Sequence, residues 1–282
     1  MKYKHIKYNL ISFFTHLFTY GEKRFYYRNF LRTADSAPAA EKEIRTLFKS
    51  NYRLLQQYGT QYKIISLGWN CMPRSLTTTS MLKPGKGVGE KSLPFDLVIT
   101  PPAVTAQLLE TDFSAYFDGE WIFDPAEGCW VRSPETGILY PHDTDCGPED
   151  LEKLQTRLRK RIENFREAVR FPGPVLFILN KATQFRGKPT GHTAADVEAV
   201  CRAIKKIRGE NPYKILVTCC DPEDPGEPSD GAETVCHPYP RADYVWHHAE
   251  RFTPEGVRFE LGYIRLCRKA LVELLKQSGV MR

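Results

Sequence analysis

The sequence lacks the features that identify zinc-binding, membrane-spanning, coiled-coil and repeat proteins. It contains eight cysteines but no Cys-x-x-Cys pair, and the adjacent Cys219 and Cys220 are expected to point to opposite faces of a predicted strand. It also has no apolar run long enough to cross a membrane, no heptad array and no internal repeat. We therefore expect reduced thiols inside a folded domain, with no metal site and no other cofactor.

Excess positive charge is absent from most of the chain. The formal net charge is +6, but residues 1–33 hold seven basic residues against one acidic residue, and the remainder holds 33 of each. This balance argues against nucleic acid as a partner. Residues 1–37 are predicted to form a basic, aromatic arm that contacts an anionic membrane surface or a protein partner through residues 1–33. We expect a cytoplasmic protein that is at most membrane-peripheral.

Predicted strands alternate with helices over residues 38–282, which are expected to form a single α/β domain. This alternation indicates a mostly parallel central sheet with helices on both faces. Residues 114–140, rich in aromatics, glycine and proline, predict a small hairpin insertion. The predicted strands are Tyr62–Leu67, Phe95–Thr100, Pro174–Leu179, Tyr213–Cys220 and a short strand near Val235. The predicted helices are Pro38–Tyr58, Cys71–Leu82, Pro101–Phe113, Pro148–Val169, Thr193–Gly209 and Gly262–Gln277.

Cys71 is the leading candidate nucleophile, because it stands where a predicted strand turns into a helix. Gly68 allows a sharp turn there. The backbone N–H groups at the start of a helix favour a thiolate and can also hold a developing oxyanion. We therefore expect a lowered thiol pKa and an oxyanion site formed by the backbone from Asn70 to Met72.

His142 is the leading candidate base. It follows an apolar, strand-like run, and an imidazole titrates near neutral pH. Asn180, at the end of a predicted strand, is the candidate third residue that orients the imidazole. Because the carboxyl ends of parallel strands lie along one edge of a sheet, this topology places the turn at Cys71, His142 and Asn180 along the same edge.

Two alternatives keep Cys71, of which the first changes its base and the second changes its role. In the first, an esterase-like fold of the serine-glycine-asparagine-histidine type carries Cys71 in place of serine, and the base is His247 or His248, which follow Asp243. In the second, the chain is a non-catalytic binding protein associated with the cell envelope or with polysaccharide. Cys71 is then structural, and the N-terminal arm docks the partner.

The order of three short motifs resembles a known family. Ser66–Cys71 (SLGWNC), Leu93–Asp96 (LPFD) and the pair His142–Asp143 follow one another as in the bacterial papain-like cysteine peptidases, a domain family of unknown function. The resemblance covers residues 64–180, the middle of the chain. The first two motifs in this order are fairly specific, although each alone is short.

The resemblance implies a cysteine peptidase or a thiol-dependent acyl hydrolase that acts on a peptide or acyl substrate. Its nucleophile would be Cys71 and its base His142, in the papain-like chain order of Cys, His and a polar orienting residue. Asn180 would fill the orienting role, and Asp96 and Asp143 are further candidates for it.

Overall fold

The computed structural model describes residues 40–85, 89–132, 137–181, 184–185, 188–189, 193–221, 229–241, 243–244, 246 and 250–282. The predicted N-terminal arm, residues 1–37, lies outside the described residues, and so do the alternative bases His247 and His248. Within the described residues, no helix combines the length and the apolar character that crossing a membrane requires.

The described part of the chain folds into the following helices and strands. The helices are α1 (Glu41–Tyr58), α2 (Met72–Thr79), α3 (Pro102–Glu110), α4 (Leu151–Val169), α5 (Ala194–Arg208) and α6 (Pro254–Gln277), with a 3-10 turn at Glu250–Phe252. The strands are β1 (Lys63–Ser66), β2 (Trp121–Asp124), β3 (Cys129–Arg132), β4 (Ile138–Tyr140), β5 (Val175–Lys181), β6 (Gln184–Phe185), β7 (Lys188–Pro189), β8 (Tyr213–Cys219) and β9 (Glu233–Cys236). The α6 helix begins earlier than predicted, because the Thr253 side chain accepts the Gly256 N–H and caps it.

The central sheet is entirely parallel, in the order β1-β5-β8-β9. Every residue of β5 is buried, as expected for a strand that is covered on both faces. Phe177 belongs to an apolar cluster with residues of α3, α4 and α5, whereas its neighbour Ile178 belongs to a cluster with residues of α1, α2 and α6. The predicted parallel α/β fold with helices on both faces is therefore confirmed. Cys219 and Cys220 also fall in opposite clusters, as predicted.

Strands β2, β3 and β4 form a separate antiparallel sheet, which confirms the predicted aromatic-rich hairpin insertion. Trp121 stacks on Tyr140 with ring centroids 5.4 Å apart. Tyr140 is fully buried, and its hydroxyl donates to that of Tyr116 over 3.1 Å. The small sheet thus ends in a tightly packed residue shortly before His142.

The strand predicted at Phe95–Thr100 is wrong. Residues 93–96 instead form a turn, in which Asp96 Oδ2 accepts the Leu93 N–H over 2.8 Å. A short acidic side chain that bonds to nearby backbone favours a turn over a strand. Only Ile99 of this segment pairs with a described strand, as an antiparallel bridge to Leu139. The neighbour of β1 in the sheet is consequently β5, from much later in the chain.

Candidate active site

The segment that follows β1 makes a tight turn into α2. Gly68 and Trp69 both have positive φ, 94° and 65°, and a Cβ added to Gly68 would lie 3.3 Å from Thr100 Cβ. Glycine is therefore favoured at position 68 both by its backbone conformation and by the close approach of Thr100. The Trp69 N–H donates to the Thr100 carbonyl over 3.0 Å, which holds the turn closed. This turn presents Cys71 just beyond the carboxyl end of β1.

Cys71 is the N-cap residue of α2 and is partly exposed. Of the other cysteines, six are buried and Cys236 is exposed, and all eight are reduced. Burial raises the pKa of the Cys71 thiol, and it outweighs the opposing effects of the residue's own backbone N–H, the charge of Arg251 and a hydrogen bond from Ser75. The expected lowering of the thiol pKa is therefore wrong, because loss of solvent disfavours the anion more than these groups favour it.

The side chains of Cys71 and His142 are in contact. His142 Nε2 lies 3.2 Å from Cys71 Sγ, although the two residues are 71 positions apart in the sequence. His142 is exposed, so the pair is open to solvent on the side of the imidazole. A neutral imidazole whose Nε2 faces a thiol can accept the thiol proton. The structure thus brings the predicted nucleophile and the predicted base together.

Two adjacent residues hold the loops of the nucleophile and the base together. Thr100 accepts the Trp69 N–H, as described above, whereas Ile99 exchanges two backbone hydrogen bonds of 3.0 Å with Leu139 of β4. The β4 strand ends two residues before His142. The segment that was predicted to be a sheet strand therefore joins the turn of the nucleophile to the loop of the base.

Asp143 anchors the loop that carries His142. Its buried carboxylate accepts hydrogen bonds of 2.6 and 2.9 Å from Arg161 and one of 2.7 Å from Arg157, both on α4. Burial alone would raise the pKa of Asp143, but the hydrogen bonds and charges of Arg161 and then Arg157 outweigh burial and hold the pKa below its ordinary value. Both carboxylate oxygens are turned to the arginines, so Asp143 supports the loop from its buried side.

Asn180 is buried and contacts the nucleophile turn. Its Nδ2 donates to Asn70 Oδ1 over 2.9 Å. Its Oδ1 accepts from the Tyr263 hydroxyl over 2.7 Å and from the Thr218 hydroxyl. Asn70 Oδ1 also accepts the Met72 N–H over 3.0 Å, which closes the turn at the start of α2. These contacts place Asn180 behind the thiol and not at the imidazole that it was predicted to orient.

Asp96 is fully buried and supports the first turn of α2. Besides accepting the Leu93 N–H, its Oδ2 lies 3.5 Å from Arg74 Nε. Arg74, three residues after Cys71, also forms an ion pair of 3.2 Å with Glu90. Asp96 therefore steadies the helix that begins at the thiol, which is a different role from the predicted orientation of the imidazole.

Metal ligation has no geometric support in the described ranges. No group of three or more His, Cys, Asp or Glu side chains there is placed to hold a metal ion.

Sequence reasoning missed the residues that support the turn from the sheet and from the last helix. Thr218 is a fully buried polar residue inside the apolar strand β8, and that contrast is a signal that could have marked it. Tyr263 is buried on α6 and gave no such signal, because tyrosine is common on the apolar face of a helix. Arg251, whose charge acts on the Cys71 thiol, stacks over the Trp246 ring at 4.5 Å and follows a segment without clear periodicity.

Comparisons of the chain with protein-family models, with curated proteins and with solved structures find no match. The resemblance to bacterial papain-like cysteine peptidases therefore stays a prediction. The function of the site is inferred from its own geometry.

Proposed function

We propose that the chain is a cysteine-dependent acyl hydrolase of the papain-like kind, in which Cys71 is the nucleophile and His142 the base. The observation that carries the proposal is the 3.2 Å contact between His142 Nε2 and Cys71 Sγ. The contact lies beyond the carboxyl end of a parallel strand, where α/β folds place their sites. Peptides or other acyl compounds are the substrates on which a thiol and an imidazole act together.

The first step of the proposed reaction needs a base because the pKa of the thiol is raised. Because burial raises the pKa of Cys71 and favours the protonated thiol, the attack requires a base that accepts the thiol proton. Sγ bonds to the carbonyl carbon while the thiol proton passes to His142 Nε2. The imidazolium then protonates the leaving group, whose bond to the carbon breaks, and an acyl thioester remains. Water hydrolyses the thioester with His142 as base, and the thiol takes back its proton.

Acetylation by p-nitrophenyl acetate tests the pair without knowledge of the natural substrate. Peptide mass spectrometry gives the rate at each cysteine of the native protein. We expect Cys71 to acetylate at least about 10²-fold faster than the exposed Cys236, since a positioned base contributes about 10²–10⁴-fold. His142→Ala should remove a factor of that size. Cys236→Ala, the matched control, should leave the rate at Cys71 unchanged.

Each alternative function predicts a different outcome of the same experiment. Equal acetylation of Cys71 and Cys236, or an unchanged rate in His142→Ala, would contradict the proposal. Loss of acetylation in His248→Ala with retention in His142→Ala would favour the esterase-like alternative. A Cys71 thiol that reacts with no acyl donor would favour the non-catalytic binding protein.

A further inference from the structure

A chain of buried hydrogen bonds leads from the sheet and α6 to the turn that carries the nucleophile. The hydroxyl groups of Thr218 and Tyr263 donate to Asn180 Oδ1, and Asn180 Nδ2 donates to Asn70 Oδ1. Thr218 and Tyr263 are wholly buried, and Asn180 is 1% exposed. A polar group that is buried away from water without a hydrogen-bond partner costs free energy, so the network fixes the orientation of each of its side chains.

The donor and acceptor order of these hydrogen bonds is set at Asn70, the residue nearest to the thiol turn. The Met72 N–H can only donate, so the Asn70 atom that receives it is Oδ1. Asn180 donates to the same oxygen and must therefore present Nδ2, with its own Oδ1 turned to the two hydroxyls. Reversing the Asn70 amide would set donor against donor, and reversing the Asn180 amide would set its oxygen against the oxygen of Asn70. Asn70 consequently keeps its oxygen inward, and its Nδ2 carries two hydrogens, of which one is donated to the Tyr239 hydroxyl.

Two backbone donors near the thiol are occupied. The Trp69 N–H donates to the Thr100 carbonyl, and the Met72 N–H donates to the Asn70 side chain. Pro73 has no N–H. The oxyanion site predicted for the backbone from Asn70 to Met72 therefore lacks the Met72 donor, and the N–H of a neighbouring side chain can take its place.

We propose that the Asn70 side chain supplies this donor through Nδ2–H, and that Asn180 is the positioning residue that aims it. The inference rests on the proposed function. When Cys71 Sγ bonds to the carbonyl carbon, the π electron pair of the carbonyl moves onto its oxygen, which accepts the Nδ2–H. When the leaving group departs, the pair returns and the thioester carbonyl forms. Asn180 acts through Asn70 and does not touch the substrate.

Two reactions of the same thiol separate this role from general support of the fold. Attack on p-nitrophenyl acetate generates an oxyanion, whereas alkylation by iodoacetamide displaces iodide at a methylene carbon and generates none. Both rates at Cys71 are measured by peptide mass spectrometry on the full chain. The ratio of acetylation to alkylation is the readout, because damage to the surroundings of the thiol lowers both rates together.

Asn70→Ala is expected to lower the ratio about 10²-fold, the effect of removing one oxyanion donor. Asn180→Ala should lower it about tenfold, because the amide of Asn70 loses the hydrogen bond that aims it. If Asn180→Ala does not fold, Tyr263→Phe can replace it. This variant removes one hydroxyl that donates to Asn180, and it should also lower the ratio. Asn51→Ala is the matched control, since Asn51 is also fully buried and donates over 3.0 Å to Ser80 at the far end of α2. Its ratio should equal that of the wild type.

Equal losses in both reactions, or a wild-type ratio in Asn70→Ala, would overturn this inference and leave the pair of Cys71 and His142 in place. A wild-type protein that shows no preferential acetylation of Cys71 would instead overturn the proposed function itself.

Discussion

Both ends of the central sheet contain buried polar networks, but the two networks end differently. At the amino ends of β5 and β8, the guanidinium of Arg208 is 1% exposed and donates hydrogen bonds of 2.5–2.9 Å to four main-chain carbonyls, those of Val169, Phe171, Gly173 and Pro212. At the carboxyl ends, the network through Asn180 ends at Asn70, the residue before a partly exposed thiol that contacts an exposed imidazole. Burial and hydrogen bonding therefore do not mark a site by themselves. What indicates a candidate site is the presence of reactive, solvent-accessible groups beside such a network.

Removing the anchor of the base should have the largest effect on stability. Asp143→Asn leaves Arg161, 7% exposed, buried without its counter-ion, and breaking such a pair costs about 3–5 kcal/mol. The free energy of unfolding in urea measures this loss, and acetylation of Cys71 should fall with it as the loop of His142 loosens. Asp145→Asn, which changes an exposed partner of Arg157, is the control and should have little effect. An unaltered urea midpoint in Asp143→Asn would refute the anchoring role.

The same anchor should make stability depend on pH in acid. The pKa of Asp143 is depressed in the folded protein, so its contribution is fully present above about pH 4, the ordinary value of an aspartate, and is lost as the pH falls through the depressed value. Urea unfolding at a series of pH values should show a steeper decline below about pH 4 for the wild type than for Asp143→Asn. Parallel curves for the two proteins would argue against this linkage.

Arg208→Met tests whether the network at the amino ends is purely structural. Methionine keeps much of the apolar volume but leaves four buried carbonyls without their donor, so we expect a loss of about 3 kcal/mol in the free energy of unfolding. The ratio of acetylation to alkylation at Cys71 should not change. Arg170→Met, at an exposed neighbouring position, is the control for the loss of charge. A changed ratio in Arg208→Met would show that the network at the amino ends also affects the thiol and is not purely structural.

The pH dependence of alkylation tests whether burial raises the pKa of the Cys71 thiol. In His142→Ala, labelling of Cys71 by iodoacetamide should rise about tenfold per pH unit, equivalent to about 1.4 kcal/mol, and continue to rise past about pH 8.5, where a free thiol levels off. The reason is that burial raises the pKa of this thiol. A plateau well below pH 8.5 in the native protein would show instead that the thiolate is stabilised in advance of attack.

The smallest effect is expected from a polar group that belongs to neither network. The Thr193 side chain caps α5 by accepting the Asp196 N–H over 3.2 Å, and Asp196 accepts the Thr193 N–H in return. Thr193→Ala should cost about 1 kcal/mol of unfolding free energy, and Thr193→Ser should restore it. Reactivity of Cys71 should be the same in both variants, and a loss in Thr193→Ala alone would extend the site to the start of α5.

Local patterns were sufficient to predict the parallel sheet and its two helical layers, and they marked Cys71 and His142 as candidates without showing that the two side chains meet. The continuous apolar run of β5 marks a strand covered on both faces, Cys71 follows a predicted strand, and His142 follows an apolar, strand-like run. The sheet-edge argument does not account for their contact, because β4 lies in the small antiparallel sheet and the Ile99–Leu139 bridge brings the loop of His142 to the turn of Cys71.

What depends on distant packing was not predictable. The apolar composition of residues 95–100 suits a strand, but the side chain of Asp96 closes a turn there. The partner of Asn180 depends on how β1 pairs with β5 and on Tyr263 from the last helix. The thiol pKa of Cys71 depends on burial by the assembled fold, whereas the start of a helix, which is visible in the sequence, pulls it the other way.

Among the described strands, β1 pairs with β5 alone, and Ser66 lies opposite Ile178. Because side chains alternate along a strand, a slip of one residue would turn Asn180 to the other face and leave Asn70 without its support. During synthesis, Cys71 leaves the ribosome long before β5, so the thiol of a nascent chain has neither His142 nor Asn180 beside it. Under the proposed function, the base-assisted reaction of this thiol would therefore begin only after the sheet has formed in its correct register.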